Sequence, residues 1–446
     1  MSFNIGLSGL RAANKRLEVT GNNIANSGTA GFKASRADFA DVYSGAYYGS
    51  GSNAVGSGVR LAAVSQNFRQ GNMSGGSGNV LDMGIQGQGF FVLNDRGALS
   101  YTRAGDFTTD DKGYVTTADR TSRLQGYGLD FNGRIQTGVL TDLRIDSSNM
   151  APKATTSASS TINLKSTDSP IDQIEHPFDP TKTDSYSHVF TSTMHDTQGN
   201  QHAVDQYMVK IGSNTWKSYT LVDGRNPDGS VFSEATQAPL TMTFGTDGLL
   251  TSIAPPTPPA VSPLDVNGTT ITLRGTGPGA WVPGTVKDGV WTANGASAHG
   301  EGVNFDMTKT TQFGTDYSQI AKVQDGYKPG QVTGITIDET GVMFAHFSNE
   351  RSKPIGQIAL ASFTNDQGLT PIGSTSWKES RASGAPNYDA PTAGVLGAVE
   401  SGVLEESNVE IGDELVELVK AQAFYQANAK TISTETTVMH TLIQMT

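Results

Sequence analysis

The feature that most constrains this chain is a regular apolar repeat in residues 407–446. Apolar or small residues recur there in alternating steps of four and three, and no proline interrupts them. Such a heptad repeat, sustained over about four heptads, predicts one long α-helix with a narrow apolar seam. A seam of this kind needs a partner helix beside it. The large residues of the predicted seam are Ile411, Leu415, Leu418, Tyr425, Ile432, Met439 and Ile443.

The other end of the chain carries a matching repeat. Its large members are Phe3, Leu7, Leu10, Leu17 and Ile24. The first helix leads into the body of the protein and the last leads out of it, so we expect the two to pair antiparallel within one subunit. The simpler alternative is that each is an amphipathic helix packed on its own domain. Heptad seams at both extreme ends of one chain favour the pairing.

The start of the last helix carries a local signal. Ser407 followed by Glu410 predicts a capping box, in which each side chain bonds the free amide near the other residue. Glu410, Asp413 and Glu414 also place negative charge near the positive end of the helix dipole. We therefore predict that this helix begins near Ser407.

Composition indicates a multidomain, mostly β body between the helices. The chain has 446 residues, which is enough for two to four domains, and 52 of them are glycine. Gly, Ser, Thr, Asn and Asp recur in short clusters, as expected for many short strands joined by turns. We predict an α+β, mostly β fold: a nested multidomain chain with coiled-coil helices at its N- and C-termini.

Charge and residue usage exclude several functional classes. The formal net charge is −12 and no basic stripe is present, which argues against nucleic-acid binding and against an anionic membrane surface. The absence of cysteine excludes disulfides, thiolate metal sites and cysteine nucleophiles. No apolar run is long enough to span a bilayer, so we expect no membrane insertion. The N-terminus lacks the pattern of a cleavable secretory signal.

The sequence texture divides the body into nested parts. A β-rich stretch of sequence begins near Asn72 and ends near Asp146. It contains the compact apolar strand GFFVLND and a turn predicted at Asp110–Gly113. The same texture returns around Gly326, with a hairpin about Asp338–Gly341. Between them, a second β-rich region has a turn predicted at Thr197–Asn200 and a proline-rich stretch at 254–263 that marks a candidate internal boundary.

We therefore predict one discontinuous β domain with another region inserted in it. The inserted β-rich region contains one domain or two. The predicted boundaries are 1–25 and 401–446 for the terminal helical domain, 26–71 for a connector, 72–146 and 326–400 for the discontinuous β domain, and 147–325 for the inserted outer domain.

Candidate chemistry is weak. His188, His195 and His202 recur every seven residues, but no carboxylate pattern completes a metal site, so we interpret them as exposed strand histidines. The stretch from Asp223 to Asp228 has the wrong ligand spacing for a calcium loop. No pair of acids and no Ser/His/Asp pattern is singled out. We predict that the chain is not an enzyme and has no catalytic residue, metal site or cofactor.

Several motifs resemble one known family. VTGNNIANSGTAGFKASRADFADVY near the N-terminus and LEESNVEIGDELVELVKAQAFYQANAKTI near the C-terminus resemble the signatures of bacterial flagellar rod and hook proteins. GIQGQGFFVLND, YTRAGDFTTDDKGYV and IGQIALASF are similar to the β domain of that family. The residues that carry the terminal resemblance are Asn22, Asn23, Asn26, Gly31, Phe32, Asn408, Gln422, Gln426 and Asn428.

The resemblance implies a self-assembling structural subunit. The long centre and GYKPG favour the hook members, which form the flexible joint transmitting motor torque to the filament, over the shorter distal rod members. It implies a helical homopolymer with the terminal helices as inner tube, the discontinuous β domain as middle layer and the insert outside. Ala423 stands where the family often has arginine. A secreted β-rich adhesin with helical oligomerisation ends is the alternative from another class.

The same resemblance implies partners and a location. The implied partners are further copies of the chain, the distal rod, the hook–filament junction proteins, the hook cap and the flagellar type III export apparatus. The implied location is the extracellular hook of the bacterial flagellum, reached without a cleaved signal peptide.

Overall fold

The protein is mostly β, with one long helix at each end, as predicted. The computed structural model describes residues 2–42, 56–76, 78–233, 238–256, 263–287 and 290–445. Helix α1 spans Ser2–Ala25 and helix α2 spans Ile411–Gln444. By its internal contacts the chain divides into a first unit (Met1–Ser147, Thr333–His346 and Ser352–Thr446) and a second unit (Ser148–Val332 and Phe347–Arg351).

The strands follow in chain order. Those before the second unit are β1 (Ser35–Asp41), β2 (Val59–Gln66), β3 (Met73–Gly75), β4 (Met83–Gln86), β5 (Phe90–Asp95), β6 (Ala98–Thr102), β7 (Phe107–Thr109), β8 (Val115–Thr117), β9 (Arg123–Leu129) and β10 (Ile135–Asp142). Those of the second unit are β11 (Ser157–Lys165), β12 (His188–His195), β13 (Gln201–Gly212), β14 (Thr215–Val222), β15 (Leu240–Phe244), β16 (Leu250–Ala254), β17 (Leu264–Asn267), β18 (Thr270–Leu273), β19 (Gly284–Lys287), β20 (Val290–Ala293), β21 (Val303–Asp306), β22 (Thr311–Phe313) and β23 (Ser318–Gln324). The remainder are β24 (Val332–Ile337), β25 (Val342–Phe347), β26 (Ser352–Ile358), β27 (Leu360–Ser362), β28 (Thr370–Gly373), β29 (Ser376–Lys378), β30 (Asn387–Asp389), β31 (Ala398–Ser401) and β32 (Val403–Glu405), with a 3₁₀ turn at Asp366–Gly368.

The first unit is built around a large sheet of antiparallel pairs in which β5 is central. The sheet order is β24-β25-β26-β9-β5-β6-β29-β28, with shorter strands attached to its sides. Phe91 and Leu93 of β5 point into one apolar cluster, while Phe90 and Val92 point into another. Because β5 is buried on both faces, its sequence is a continuous apolar run rather than an alternating one.

Aspartate and glycine fix the hairpin turns. In the β7–β8 turn, Asp110 Oδ1 accepts the amides of Lys112 and Tyr114 at 2.9 and 2.8 Å, and Gly113 has a φ of +83°. Glycine adopts this left-handed conformation without the steric penalty that a Cβ brings. The turns that begin at Asp196 and Asp338 use the same arrangement. The turns predicted at Asp110–Gly113 and Asp338–Gly341 are therefore confirmed, and the turn predicted at Thr197–Asn200 begins one residue earlier, at Asp196.

The second unit is a two-sheet body. One sheet has the order β17-β18-β21-β11-β22, with β23 also pairing β11, and the other has the order β12-β13-β14-β15-β16. One apolar cluster joins the inner faces of both sheets, and its fully buried members include Ile162, Leu164, Met208, Trp216 and Leu273. Much of the proline-rich stretch at 254–263 lies outside the described residues, since 257–262 are not among them.

The predicted connector contains a ribbon of two antiparallel strands. Strands β1 and β2 pair from Ser35↔Gln66 to Asp41↔Val59, with a bulge after Asp38. Residues 43–55, which belong to the predicted connector, lie outside the described residues.

The predicted capping box is wrong. Helix α2 begins at Ile411, and its N-cap residue, Glu410, makes no side-chain capping hydrogen bond. Ser407 Oγ instead accepts the amide of Val409 at 3.3 Å, in the segment before the helix. Ser407 is buried in the first unit. Its side chain is therefore used in tertiary packing and not, as the local sequence predicted, in capping the helix.

Candidate assembly interface

Helices α1 and α2 lie side by side and run antiparallel, as predicted. Gly9, early in α1, lies against Asn428, late in α2. Near the opposite end of the pair, Asn23 Nδ2 donates to Glu414 Oε1 at 2.8 Å. Asn23 is close to the end of α1 and Glu414 is in the first turn of α2. The N-terminus of each helix therefore meets the C-terminal part of the other.

The two helices approach through small side chains. The buried positions of α1 include Gly6, Ala13 and Thr20, and the one buried residue of α2 among those described is Ala421. A Cβ added to Gly9 would lie 2.2 Å from Asn428 Oδ1, which no side chain tolerates without displacing its neighbour. Each glycine weakens an isolated helix by about 1 kcal/mol. In this structure, Gly6 and Gly9 allow the axes of the two helices to come close.

The large residues of the predicted seams flank this contact face. On α1, Phe3 is exposed, while Leu7, Leu10, Leu17 and Ile24 are half-buried. On α2, Leu418 and Ile432 are half-buried, and the remaining five seam residues are exposed: Ile411, Leu415, Tyr425, Met439 and Ile443. The structure therefore brings Ile432 against Gly6 of α1 and leaves most of the α2 seam uncovered in the single chain.

Two asparagines of the terminal signatures hold the bases of the helices. Asn23 Nδ2 donates to the Ser35 carbonyl at 2.8 Å, and Asn23 Oδ1 accepts the Ser35 amide at 2.9 Å. Asn408 Oδ1 accepts the Ala34 amide at 2.8 Å, and its Nδ2 donates to the carbonyls of Asn67 and Arg69 at 2.7 and 2.9 Å. Each amide side chain thus replaces backbone partners that these irregular segments lack.

Gly31 turns the chain sharply between α1 and β1. Its φ is +67°, and a Cβ there would lie 2.3 Å from the Ala104 amide nitrogen. Its own amide donates to the Glu405 carbonyl at 2.7 Å. The next residue, Phe32, accepts the Asn408 amide at 3.4 Å. This position therefore requires glycine for both its conformation and its close approach.

The remaining signature residues make local side-chain hydrogen bonds or none within the described chain, and the Asn428 side chain also lies against Gly9. The Asn22 carbonyl accepts the backbone amide of Asn26 at 3.1 Å and its side-chain amide at 2.9 Å, which closes the end of α1. Asn428 donates to the Phe424 carbonyl at 2.8 Å. The side chains of Gln422 and Gln426, like Ala423 between them, are exposed on α2.

A buried charge cluster lies beneath the helix pair. Lys33 Nζ lies 2.5 Å from Glu405 Oε1, and Arg103 Nη1 lies 3.2 Å from Glu405 Oε2. The Lys33 and Glu405 side chains are fully buried, and the Arg103 side chain is nearly so. Burial lowers the pKa of both Lys33 and Arg103, although Glu405 opposes this by attracting the positive charges.

The sequence reasoning did not select these three charged residues. Lys33 and Glu405 are 372 positions apart, and neither belongs to a periodic pattern. Each lies in a terminal segment that resembles the family, but nothing in the sequence alone indicates that the two side chains are buried together.

The three histidines that recur every seven residues were predicted to be exposed on strands. This prediction is wrong for His195 and His202, which are buried. His202 lies between Asp223 and Asp196, with ring nitrogen to carboxylate distances of 2.7 and 3.3 Å. His195 is also buried, and it is paired in register with Gln201 rather than with His202. Within the described ranges, no three His, Cys, Asp or Glu side chains are grouped as metal ligands would be.

Four family models together match most of the chain. Residues 3–33 match the flagella basal body rod protein model, and residues 84–158 the flagellar hook protein FlgE/F/G D1 domain. Residues 162–327 match the flagellar basal body protein FlaE D2 domain, and residues 400–445 the flagellar basal body rod FlgEFG protein C-terminal model. None of the described helices combines the length and apolar character needed to cross a bilayer.

Relatives named flagellar hook protein FlgE match the chain from end to end. The flagellar hook protein FlgE of Salmonella typhimurium is 35% identical over 448 residues, covering 100% of both chains. That of Escherichia coli K12 is 34% identical over 453 residues, again covering 100% of both. Among solved structures, Helicobacter pylori flagellar hook protein FlgE2 aligns with a TM-score of 0.47 at 14% identity, over 76% of this chain and 100% of that one.

Proposed function

The chain belongs to the flagellar hook protein family and is a structural subunit of the hook, and we propose that its helix pair forms the inner tube of that polymer. The matched relatives are hook proteins over their full length, which does not favour a distal rod protein or an adhesin. The function as a structural subunit of the hook follows from family membership. The layer that each part of the chain occupies is our proposal.

The observation that carries the proposal is the exposed apolar surface of the helix pair. Leu415, Phe424, Met439 and Ile443 are each about half exposed or more in the single chain. Exposed apolar patches of this size usually mark sites of association. Because α1 and α2 contact each other through small residues, their large side chains remain available for neighbouring subunits. Burying one of these side chains fully contributes roughly 1.5–3 kcal/mol.

The β-rich units depend less on neighbours, because each has a core of large buried apolar side chains of its own. Some large side chains of these units, such as Phe131 and Ile174, are nevertheless exposed. We therefore place the discontinuous β domain in the middle layer and the inserted domain at the outer surface. Contacts between outer domains would be polar and replaceable, while the inner helices stay closed. Such a polymer bends easily and still transmits torque, as a universal joint requires.

Partners and location follow from the family alone. We propose that the polymer joins the distal rod at one end and the hook–filament junction proteins at the other, with the hook cap present during growth. We also propose that the subunit reaches the extracellular hook through the flagellar type III export apparatus, without a cleaved signal. No catalytic role is proposed for any residue.

Leu415→Asp tests the inner-tube assignment. Leu415 is 48% exposed in the single chain, so an aspartate there should change the stability of the free subunit by no more than about 0.5 kcal/mol. In the polymer it would bury a charge, and we expect no hooks by electron microscopy. Thr434→Asp is the matched control, since it adds the same charge at an exposed position off the seam. Normal hooks from Leu415→Asp would contradict the proposal.

A further inference from the structure

Glu405 is the point at which four separated segments of the first unit meet. It ends strand β32, shortly before α2 begins. Its carboxylate contacts Lys33, which follows α1, and accepts the Gly71 amide at 2.9 Å. The same carboxylate contacts Arg103, which directly follows strand β6 of the large sheet. One side chain therefore connects the bases of both helices to the sheet.

The cations extend these connections. Arg103 also donates to the carbonyls of Ile85 and Gly87, at 3.3 and 2.6 Å, at the end of β4. Lys33 Nζ donates to the Arg69 carbonyl at 2.9 Å. Because hydrogen bonds to charged groups are directional and strong, this network constrains orientation as well as distance.

The cluster is poorly balanced without its carboxylate. Two buried cations contact one carboxylate, that of Glu405, and Asp366 adds only a weaker attraction to Arg103. Arg103 Nε has no hydrogen-bond partner among the described residues. Removing the Glu405 charge leaves Lys33 buried without a carboxylate partner and leaves Arg103 with only the weaker attraction of Asp366. Loss of one partner is the change that buried ionic clusters tolerate least. The bases of the helices should then separate from the sheet.

We infer that Glu405 is a positioning residue that fixes the helix pair at one orientation on the sheet of the first unit. This inference rests on the proposed function, because the orientation matters to the hook only if the helix pair is its inner tube. Torque carried between the helices and the β layer then passes through the Lys33–Glu405–Arg103 cluster. The apolar contacts between α1 and α2 hold the helices to each other, and the cluster sets their direction.

The test measures orientation directly. The chain has no cysteine, so Gln426→Cys on α2 and Glu339→Cys on the first β unit give two unique, exposed spin-label sites. Pulsed electron spin resonance on the full-length subunit then reports the distance distribution between them. We expect Glu405→Gln to widen this distribution at least twofold and to raise the critical concentration for polymerisation at least tenfold. Hydrogen exchange of β5 and β9 should stay as slow as in the unmodified chain.

Glu406→Gln is the matched control, because it makes the same chemical change at the adjacent, exposed glutamate. It should leave both the distance distribution and assembly unchanged. Lys33→Arg keeps the cation and should restrict the distribution more than Lys33→Met does. An unchanged distribution in Glu405→Gln would overturn the inference. Fast hydrogen exchange throughout β5 and β9 in Glu405→Gln would also overturn it, because Glu405 would then stabilise the whole unit rather than orient the helices.

The result that would contradict the proposed function differs from the result that would contradict the role of Glu405. Normal polymers from Leu415→Asp would remove the inner-tube assignment, whereas the distance distribution of the free subunit would still decide whether Glu405 positions the helices.

Discussion

The terminal helix pair and the second β unit bury their side chains in opposite ways. In the second unit, Trp216, Ile162 and Leu273 are completely inaccessible to solvent, and one cluster joins both sheets. In the helix pair, the buried residues are small, and large ones such as Leu415 and Met439 are exposed. The second unit has a core of its own. The helix pair leaves most of the large side chains of the α2 seam exposed in the single chain.

The difference shows that two kinds of packing serve different stages. A core of large side chains stabilises a domain before assembly, because it is complete within one chain. Small residues at a helix contact bring two backbones together but remove little apolar surface from water. Such a pair gains most of its stability only when neighbours cover its outer faces. Variants that act on one region and leave the other unchanged test this contrast.

The largest effect is expected in the core of the second unit. Trp216→Ala removes a fully buried side chain and the hydrogen bond that its Nε1 donates to Gln312 Oε1 at 2.6 Å. Truncating a buried tryptophan costs about 3–5 kcal/mol. We expect this loss in urea unfolding of the second unit, measured by circular dichroism, with the first unit unaffected. Trp291→Ala, in a half-buried hairpin position, should cost clearly less. Equal losses would contradict the assigned core.

A smaller effect is expected at the helix contact. Gly9→Leu places a large side chain where Asn428 already lies, and overpacking of this kind costs about 1–3 kcal/mol. That exceeds the gain of up to about 1 kcal/mol from better helix propensity. We expect faster hydrogen exchange in α1 and α2 and weaker assembly, with unchanged exchange in the β units.

The control for this variant lies in the same helix. Gly21 is exposed and has no atom within 4 Å of an added Cβ. Gly21→Ala should therefore slow exchange in α1, because alanine favours the helix and meets no neighbour. If both substitutions destabilise the helix equally, the close approach at Gly9 is not the reason for its glycine.

The smallest effect is a pH dependence in the second unit. Burial alone lowers the pKa of His202, but the hydrogen bonds that its ring donates to Asp223 and Asp196, with the attraction of these carboxylates, outweigh burial and raise the pKa above its usual value. A raised folded-state pKa gives stability that is complete below the unfolded value, near pH 6.5, and is lost as pH rises through the folded value. His202→Asn should abolish this loss.

The groups around His202 define the control. Burial lowers the pKa of the neighbouring His195. His202 and Lys328 lower this pKa further, and Asp196 opposes the change. The contribution of His195 to the pH dependence of stability therefore has the opposite sign to that of His202. His195→Asn should therefore leave the loss above about pH 6.5 in place. Thermal unfolding between pH 6 and 9, followed by tryptophan fluorescence, measures both variants. A loss that persists in His202→Asn would contradict the assignment.

Much of the fold could be predicted because its signals are local. Heptad spacing predicted both helices, and short clusters of Asp, Gly, Asn and Thr predicted the hairpin turns. The helix start was placed wrongly, because Ser407 has a capping signature but is recruited into tertiary packing. The exposure predicted for the histidines is wrong at His195 and His202 for a similar reason. Strand alternation does not reveal that Trp281 and two aspartates enclose His202.

The sequence by itself determined the mostly β body, the two terminal helices and their antiparallel direction. Periodicity and turn chemistry act over a few residues, and chain direction follows from the order of the elements. Only the tertiary structure decided which helix faces touch and which charges meet. The close approach at Gly9 and the burial of Lys33 with Glu405 depend on residues hundreds of positions apart. No local pattern records such pairs, because the free energy that selects them arises only when the separated segments exclude water together.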